Sequence, residues 1–398
     1  MKYFFVLFFL FSLNLFGQKN QINKRSTYHV NSLATHPFGV FFSRTNHNFK
    51  IKASTKTSFN SHISSGNIWL QKVTAFFPNN KADQEYISTI SWNDRIHFFD
   101  TETQEHQSTQ FEADGVIRQY ITSCNIPFLK NHEIQLNTRM FSLDEGKAPF
   151  SILTNDNVIE SFHSNIAGGE DPFGRRNYEF NQAKIRYTDI NDNKIILNNR
   201  DFVFSGIDLS YYYYPKIKLF EKFGLFTNFG LQTGINFSET NKSLDLGLNA
   251  GLTKIFAFKK NNELRLAVSL GLMHPSLAKF SKSNVLLIQN RFLFSTEFNL
   301  EYVKHLKKSN YISLSFGYAL QSPFNKKKDF DQIVLDGDRR STHWHYTFSH
   351  LYRFTSANTL TFTYGTDYYA FWFYLRQDFL VDNAPDIQTG LGLKIYIQ

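Results

Sequence analysis

A single cysteine, Cys124, in a chain of 398 residues rules out an intramolecular disulfide framework. No CxxC pair, phosphate-binding glycine loop or GxSxG elbow occurs, which removes the usual sequence grounds for a redox, nucleotide-binding or acyl-transfer enzyme. Long apolar runs are missing as well. Beyond the amino terminus nothing approaches the ~20 apolar residues that a spanning helix needs, and no Pro/Gly/Ser-rich linker divides the chain into domains. Lysine and arginine outnumber aspartate and glutamate by 43 to 34, a net charge of +9. These basic residues are scattered rather than gathered on a recognisable module, so nucleic acid is not an expected partner. Clusters such as Lys259-Lys260, Lys307-Lys308 and Lys326-Lys327-Lys328 fall where turns or loops are predicted and read as solvated tips. No cofactor and no metal is expected.

Aromatic rings are present in excess. Phe and Tyr number 44 and 20, and aromatics make up 17% of the chain, yet its mean hydropathy is only −0.35. A transmembrane β-barrel reconciles the two figures. Its outward residues are apolar, its lumen is polar, and rings gather at both membrane interfaces. The amino terminus agrees with export. Met1-Lys2 is a short basic start, Tyr3 to Phe11 is unbroken apolar, and Gly17 precedes Gln18, so residues 1–17 are predicted to be a cleaved secretory signal.

The period of two carries the fold prediction. Leu225, Thr227, Phe229, Leu231, Thr233, Ile235 and Phe237 share one face, against Asn228, Gly230, Gln232, Gly234 and Asn236 on the other. The same alternation recurs around Leu244–Leu252, Leu264–Leu272, Phe292–Tyr302 and Ile312–Leu320. Each segment is ~9–13 residues long, enough for a tilted strand to cross a bilayer. The last residues, Asp386 to Gln398, place Ile387, Leu391, Leu393, Ile395 and Ile397 opposite Gln388, Gly390, Gly392, Lys394 and Tyr396, as a closing strand requires. In the first half, His47–Lys56, Ser65–Phe77, Gln84–Trp92, Gly115–Ile126 and His132–Leu143 read as strands. The fold class is therefore all-β: one antiparallel transmembrane barrel over residues 18–398, of about 14 strands within a range of 12 to 16.

Short polar turns are expected near Glu239–Ser243, Lys259–Glu263, Lys307–Asn310 and Ser356–Asn358, and long loops at His274–Gln289 and Gln321–Thr342. Counting back from the carboxyl terminus puts the long loops outside the cell. The ring-rich stretch from Tyr346 to Tyr374 reads as interface girdle and lipid-facing surface.

One segment breaks the pattern. Within residues 144–178, Asn155-Asp156-Asn157 can cap a short helix striped by Val158, Ile159, Phe162 and Ile166. A turn with both signs of charge follows, in which Glu170, Asp171, Arg175 and Arg176 are candidates for a plug or constriction against the lumen wall. The strand count places this insert at the periplasmic end, a result that one miscounted strand reverses. The Ser161-Phe162-His163 and Gly168-Gly169 pattern, with Pro172 and Arg175 or Arg176 following, resembles an uncharacterised family of outer-membrane barrel proteins of Gram-negative bacteria, over residues 159–180. The resemblance implies a barrel and a location, and no activity.

Two constellations invite chemistry. Outer-membrane phospholipases and lipid A deacylases resemble this class of chain and use a His and a Ser two apart, followed by Asn. His163-Ser164-Asn165 has the Ser one place too close, and on a strand those two side chains point to opposite faces. His343-Trp344-His345 shares a face on a strand, but no carboxylate or cysteine stands at ligand spacing.

The leading functional expectation is an outer-membrane pore or passive channel for a small solute, without covalent chemistry. A lipid-directed enzyme and a structural or adhesive barrel are the alternatives. The partners expected are outer-membrane lipid and glycolipid and the barrel-insertion machinery, whose signal resembles Thr389, Gly390, Leu393 and Ile395.

Overall fold

The computed structural model describes residues 45–91, 94–149, 151–169, 180–258, 261–336, 352–377 and 387–397. Its strands are β1 (Ser58–Pro78), β2 (His106–Leu129), β3 (His132–Asp144), β4 (Lys184–Thr188), β5 (Lys194–Leu197), β6 (Phe202–Tyr213), β7 (Leu225–Ser238) and β8 (Asn241–Phe258), followed by β9 (Asn262–Lys279), β10 (Leu293–His305), β11 (Tyr311–Gln321), β12 (Val334–Asp336), β13 (Thr355–Gly365), β14 (Tyr369–Gln377) and β15 (Ile387–Tyr396). Twelve of them form a closed antiparallel ring, β1-β2-β3-β6-β7-β8-β9-β10-β11-β13-β14-β15. It closes where β15 pairs with β1, from Ser58 opposite Tyr396 to Gly66 opposite Gln388. Closure leaves no barrel edge with unpaired backbone groups. β4, β5 and β12 lie outside the ring: β4 pairs with the extended end of β2, β5 with β4, and β12 with the extended end of β1.

Apolar residues point outward and polar ones inward along each wall strand. Phe229, Leu231, Ile235 and Phe237 are exposed while Asn228, Gln232 and Asn236 are buried. On the closing strand Leu393 and Ile395 are exposed, and Gln388, Gly390, Gly392 and Lys394 are buried. Gly390 and Gly392 are set by close packing. A Cβ at Gly392 would lie 2.0 Å from Trp372 ring atoms, and one at Gly390 would lie 2.1 Å from the Tyr374 ring, so only glycine lets these lumenal rings lie on the neighbouring strand.

The ring holds 12 strands, the low end of the range, and three local readings differ from the structure. His47–Lys56 is not a strand but an irregular segment inside the barrel. Gln84–Trp92 is mostly the helix Lys81–Thr89, whose first turn is capped by the Asn80 side chain accepting from the Ala82 N–H at 2.8 Å; Trp92 lies outside the described residues. Ser356–Asn358 is no turn but the beginning of β13; the turn comes after Gly365. The hairpin after Ser238 tightens to Glu239-Thr240, and β9 runs on to Lys279, which shortens the loop expected from His274.

Connections sort by end. Lys130-Asn131, the segment 214–224, the turn after Phe258, Lys307–Ser309 and the turn 366–368 lie at one end, together with the start of β1 and the end of β15. The long connections after β1, β3, β9, β11 and β14 lie at the other. The insert after β3 belongs to this long-loop end, opposite to the end that the strand count assigned.

The insert also lies on an unexpected face. Ser151 donates to Asp144 at 2.8 Å, Thr154 and Ser65 share a hydroxyl bond at 2.6 Å, and Asn67 donates to Asp156 at 2.9 Å. Ser65, Asn67 and Asp144 belong to the outward-facing set of β1 and β3. The described part of the insert therefore packs on the outside of the barrel rim. It covers a polar patch and exposes Ile152, Leu153, Phe162 and Ile166 in its place. Glu170, Asp171, Arg175 and Arg176, proposed for a constriction, lie outside the described residues.

Candidate functional site: a barrel lumen filled by its own chain

Residues 45–57 enter the lumen from the start of β1 at the short-turn end and climb its wall. The sequence pattern that suggested a strand, Phe49, Ile51 and Ala53 alternating with Asn48, Lys50, Lys52 and Ser54, is that of an extended chain. Its backbone is satisfied by wall side chains instead of a ladder. Asn46 N–H donates to Gln232 at 2.8 Å, Tyr212 OH donates to the Asn46 carbonyl at 3.1 Å, and Asn228 donates to the carbonyls of Asn48 and Lys50 at 2.9 and 3.1 Å. His47 bridges the hydroxyls of Ser269 and Ser295 at 2.8 and 3.0 Å. Ile51 packs on Phe226 and Ile255, and Ala53 on Tyr212 and Tyr214. This segment, a strap across β6 to β10, thus answers lumenal polar groups that would otherwise bind water.

Charge pins the strap at its lower end. Lys50 Nζ pairs with Glu133 of β3, and the other Glu133 oxygen accepts from the Ser54 N–H at 2.9 Å. Elsewhere the lumen wall carries its own ion pairs. Arg139 meets Asp208 at 3.0 Å and donates to Asn236 at 2.9 Å; Arg265 meets Glu263 at 2.7 Å and Glu301 at 3.8 Å.

The long-loop mouth is covered differently. Ala113 and Phe111 of β2, Phe141 and Leu143 of β3, and Ile185 and Tyr187 of β4 join Val285 and Leu287 from the loop after β9 and Phe330, Ile333 and Leu335 from that after β11 in one apolar cluster. β2 and β3 stand across the ring from β9 and β10. A cluster joining loops from opposite walls must span the mouth, so it forms a lid. Tyr187 OH reaches the Leu286 carbonyl at 3.3 Å, and burial raises its pKa above the ordinary tyrosine value.

The catalytic constellation weighed in the sequence does not assemble. His163–Ala167 forms a π-type turn on the outer rim, where the Ser164 hydroxyl donates to Glu160 at 3.1 Å and Asn165 donates to Ser161 at 3.0 Å. His343 and His345 lie outside the described residues. Among the described residues no group of three His, Cys, Asp or Glu side chains is placed to hold a metal ion, and no helix is long and apolar enough to cross a membrane. What sequence reading missed is the strap. Its only signal was the set of three lysines, Lys50, Lys52 and Lys56, on the face opposite Phe49, Ile51 and Ala53.

No family model matches the chain, and no curated protein does. The resemblance read around residues 159–180 therefore gains no support from either. Among solved structures, an outer membrane channel from Pseudomonas putida F1 is similar over 88% of this chain and 99% of its own, at 8% identity and a TM-score of 0.38. The transport unit of the autotransporter AIDA-I from Escherichia coli is similar over 86% of this chain and 91% of its own, at 8% identity and a TM-score of 0.35. The outer membrane phospholipase of Salmonella typhi is similar over 83% and 91%, at 10% identity and a TM-score of 0.28. At such values the likeness bears on no residue and no activity.

Proposed function

We propose that this chain is a barrel of the Gram-negative outer membrane and works as a gated channel for small polar solutes, shut by its amino-terminal strap. The observation that carries the reading is the strap itself, residues 45–57, held in the lumen by side chains of β6, β7, β8, β9 and β10 and by Glu133. Membrane residence is supported by the exposed apolar belt, which includes Leu231, Leu248, Leu270, Phe298, Leu314, Phe362 and Phe373. Such a surface on a closed barrel is unfavourable in water and matched by hydrocarbon.

A permanently open pore has no need of a strap. A gated one does, because its individually modest hydrogen bonds, about 0.5–1.5 kcal/mol each, sum to a barrier that a signal or a partner can overcome. The test is planar-bilayer conductance. The intact chain is expected to be almost silent, and a chain lacking residues 45–56 to conduct steadily. A second variant pairs Asn46→Cys with Ser210→Cys in a Cys124→Ser background, since these side chains meet at 3.3 Å. Oxidation is expected to abolish the residual openings and reduction to restore them. Silence from a folded strapless barrel would sink the channel reading.

A further inference from the structure

We propose that the short-turn end of the lumen binds a soluble oxyanion, of the phosphate or carboxylate class, between Lys394 of β15 and the lysines of the strap. Lys50, Lys52, Lys56 and Lys394 line one cavity of about 190 Å³ there, and Asp367 is the only acid among the described residues of its lining. Lys394 is the central group. It is 3% exposed, and among the described residues its ammonium meets no hydrogen-bond acceptor, touching only the Tyr396 ring with 5.0 Å to the centroid. Glu133, the carboxylate that acts on it through space, is already taken by Lys50 and by the Ser54 N–H.

Two ammonium groups therefore share one buried carboxylate, and one positive charge is left at the cavity wall without a carboxylate of its own. Burying an uncompensated charge is costly, and either an anion or loss of the proton removes the cost. The surroundings favour the anion. Lys52 and Lys56 add positive charge on the same cavity, and several close cations over one concave surface focus a field that draws anions in. A void of ~10–15 Å³ suffices for one water, so this cavity has room for an oxyanion and its remaining hydration. Three of the four lysines lie on the strap, so the site is complete with the strap seated and its existence does not depend on the gate opening.

The test is calorimetric titration of the purified full-length chain, in phosphate-free detergent micelles, with inorganic phosphate. Saturable binding at one site per chain is expected. Lys394→Met should weaken it at least about tenfold, the scale of one charge-assisted hydrogen bond; Lys394→Arg should restore it, and Lys326→Met, at the long-loop end, should leave it unchanged. Should Lys394→Met fail to show heat-modifiable migration, the double variant Lys52→Met with Lys56→Met is read instead, since both side chains are exposed and neither belongs to the buried cluster. Several-fold weaker binding is then expected. Absence of binding to the intact chain, or unaltered affinity in the folded variants, overturns the proposal, whatever the conductance measurements give.

Discussion

At the residue scale, the pair of Lys50 and Glu133 ties the strap to the wall. The Glu133 side chain is 1% exposed and that of Lys50 13%. Removing one partner of a buried pair leaves the other charge uncompensated and costs about 3–5 kcal/mol. Glu133→Gln is therefore expected to lower the temperature at which the protein loses its folded gel mobility and to raise the frequency of open events in bilayers. Unchanged values of both would show that the strap is held by its neutral hydrogen bonds alone. Along β7 to β11 and β15 the outward and inward choice of wall residues was legible from alternation. The partners of the buried ones were not, because Asn46 and Gln232, or Lys50 and Glu133, are joined across the lumen by no sequence rule.

At the scale of elements, the closing strand behaves as its pattern implied. Thr389, Gly390, Leu393 and Ile395 all lie on β15, which pairs with β14 on one side and β1 on the other. Deleting Leu393 to Gln398 removes the pairings of Ser58 to Ser61 and of Tyr369 to Phe371, and would leave their backbone groups unsatisfied in hydrocarbon, at several kcal/mol each. Membrane assembly is expected to fail, read as loss of heat-modifiable migration, whereas Gln398→Phe is expected to assemble at least as well as the native chain. A truncated chain that still migrates as a folded barrel would refute the role given to this strand. The strap teaches the opposite lesson. An alternating extended segment reads as a strand whether it joins the wall or lies inside it, because extended backbone imposes the same period of two on side chains in either place.

For the whole molecule, one apolar belt and one rim insert divide the outer surface. Phe373 lies midway along β14 in the belt, and Phe162 lies on the insert at the rim; both are exposed. The cost of a charge on the lipid face is about 2–4 kcal/mol at the midplane and falls to about 0–1 kcal/mol near the interfaces. Phe373→Arg is therefore expected to destabilise the barrel in vesicles by the larger amount and Phe162→Arg by the smaller, measured by reversible denaturant unfolding. Equal effects would mean that the insert sits as deep as the belt, and a costless Phe373→Arg would argue against lipid around β14.

What the sequence by itself determined is the barrel. The period of two, the length of the segments and the excess of rings are local properties, and each is the direct imprint of a wall with apolar residues on one side and polar groups on the other. The tertiary structure decided everything that depends on which surfaces meet. Closure at 12 strands followed once two strand-like segments left the count, one to a helix and one to the lumen. The insert went to the outer rim because Ser65, Asn67 and Asp144, polar residues facing outward, needed covering. The lumen was filled because its polar lining could be satisfied by the chain's own backbone as well as by water. None of these outcomes is written in any short window of residues, since each is a competition among parts brought together only when the ring closes.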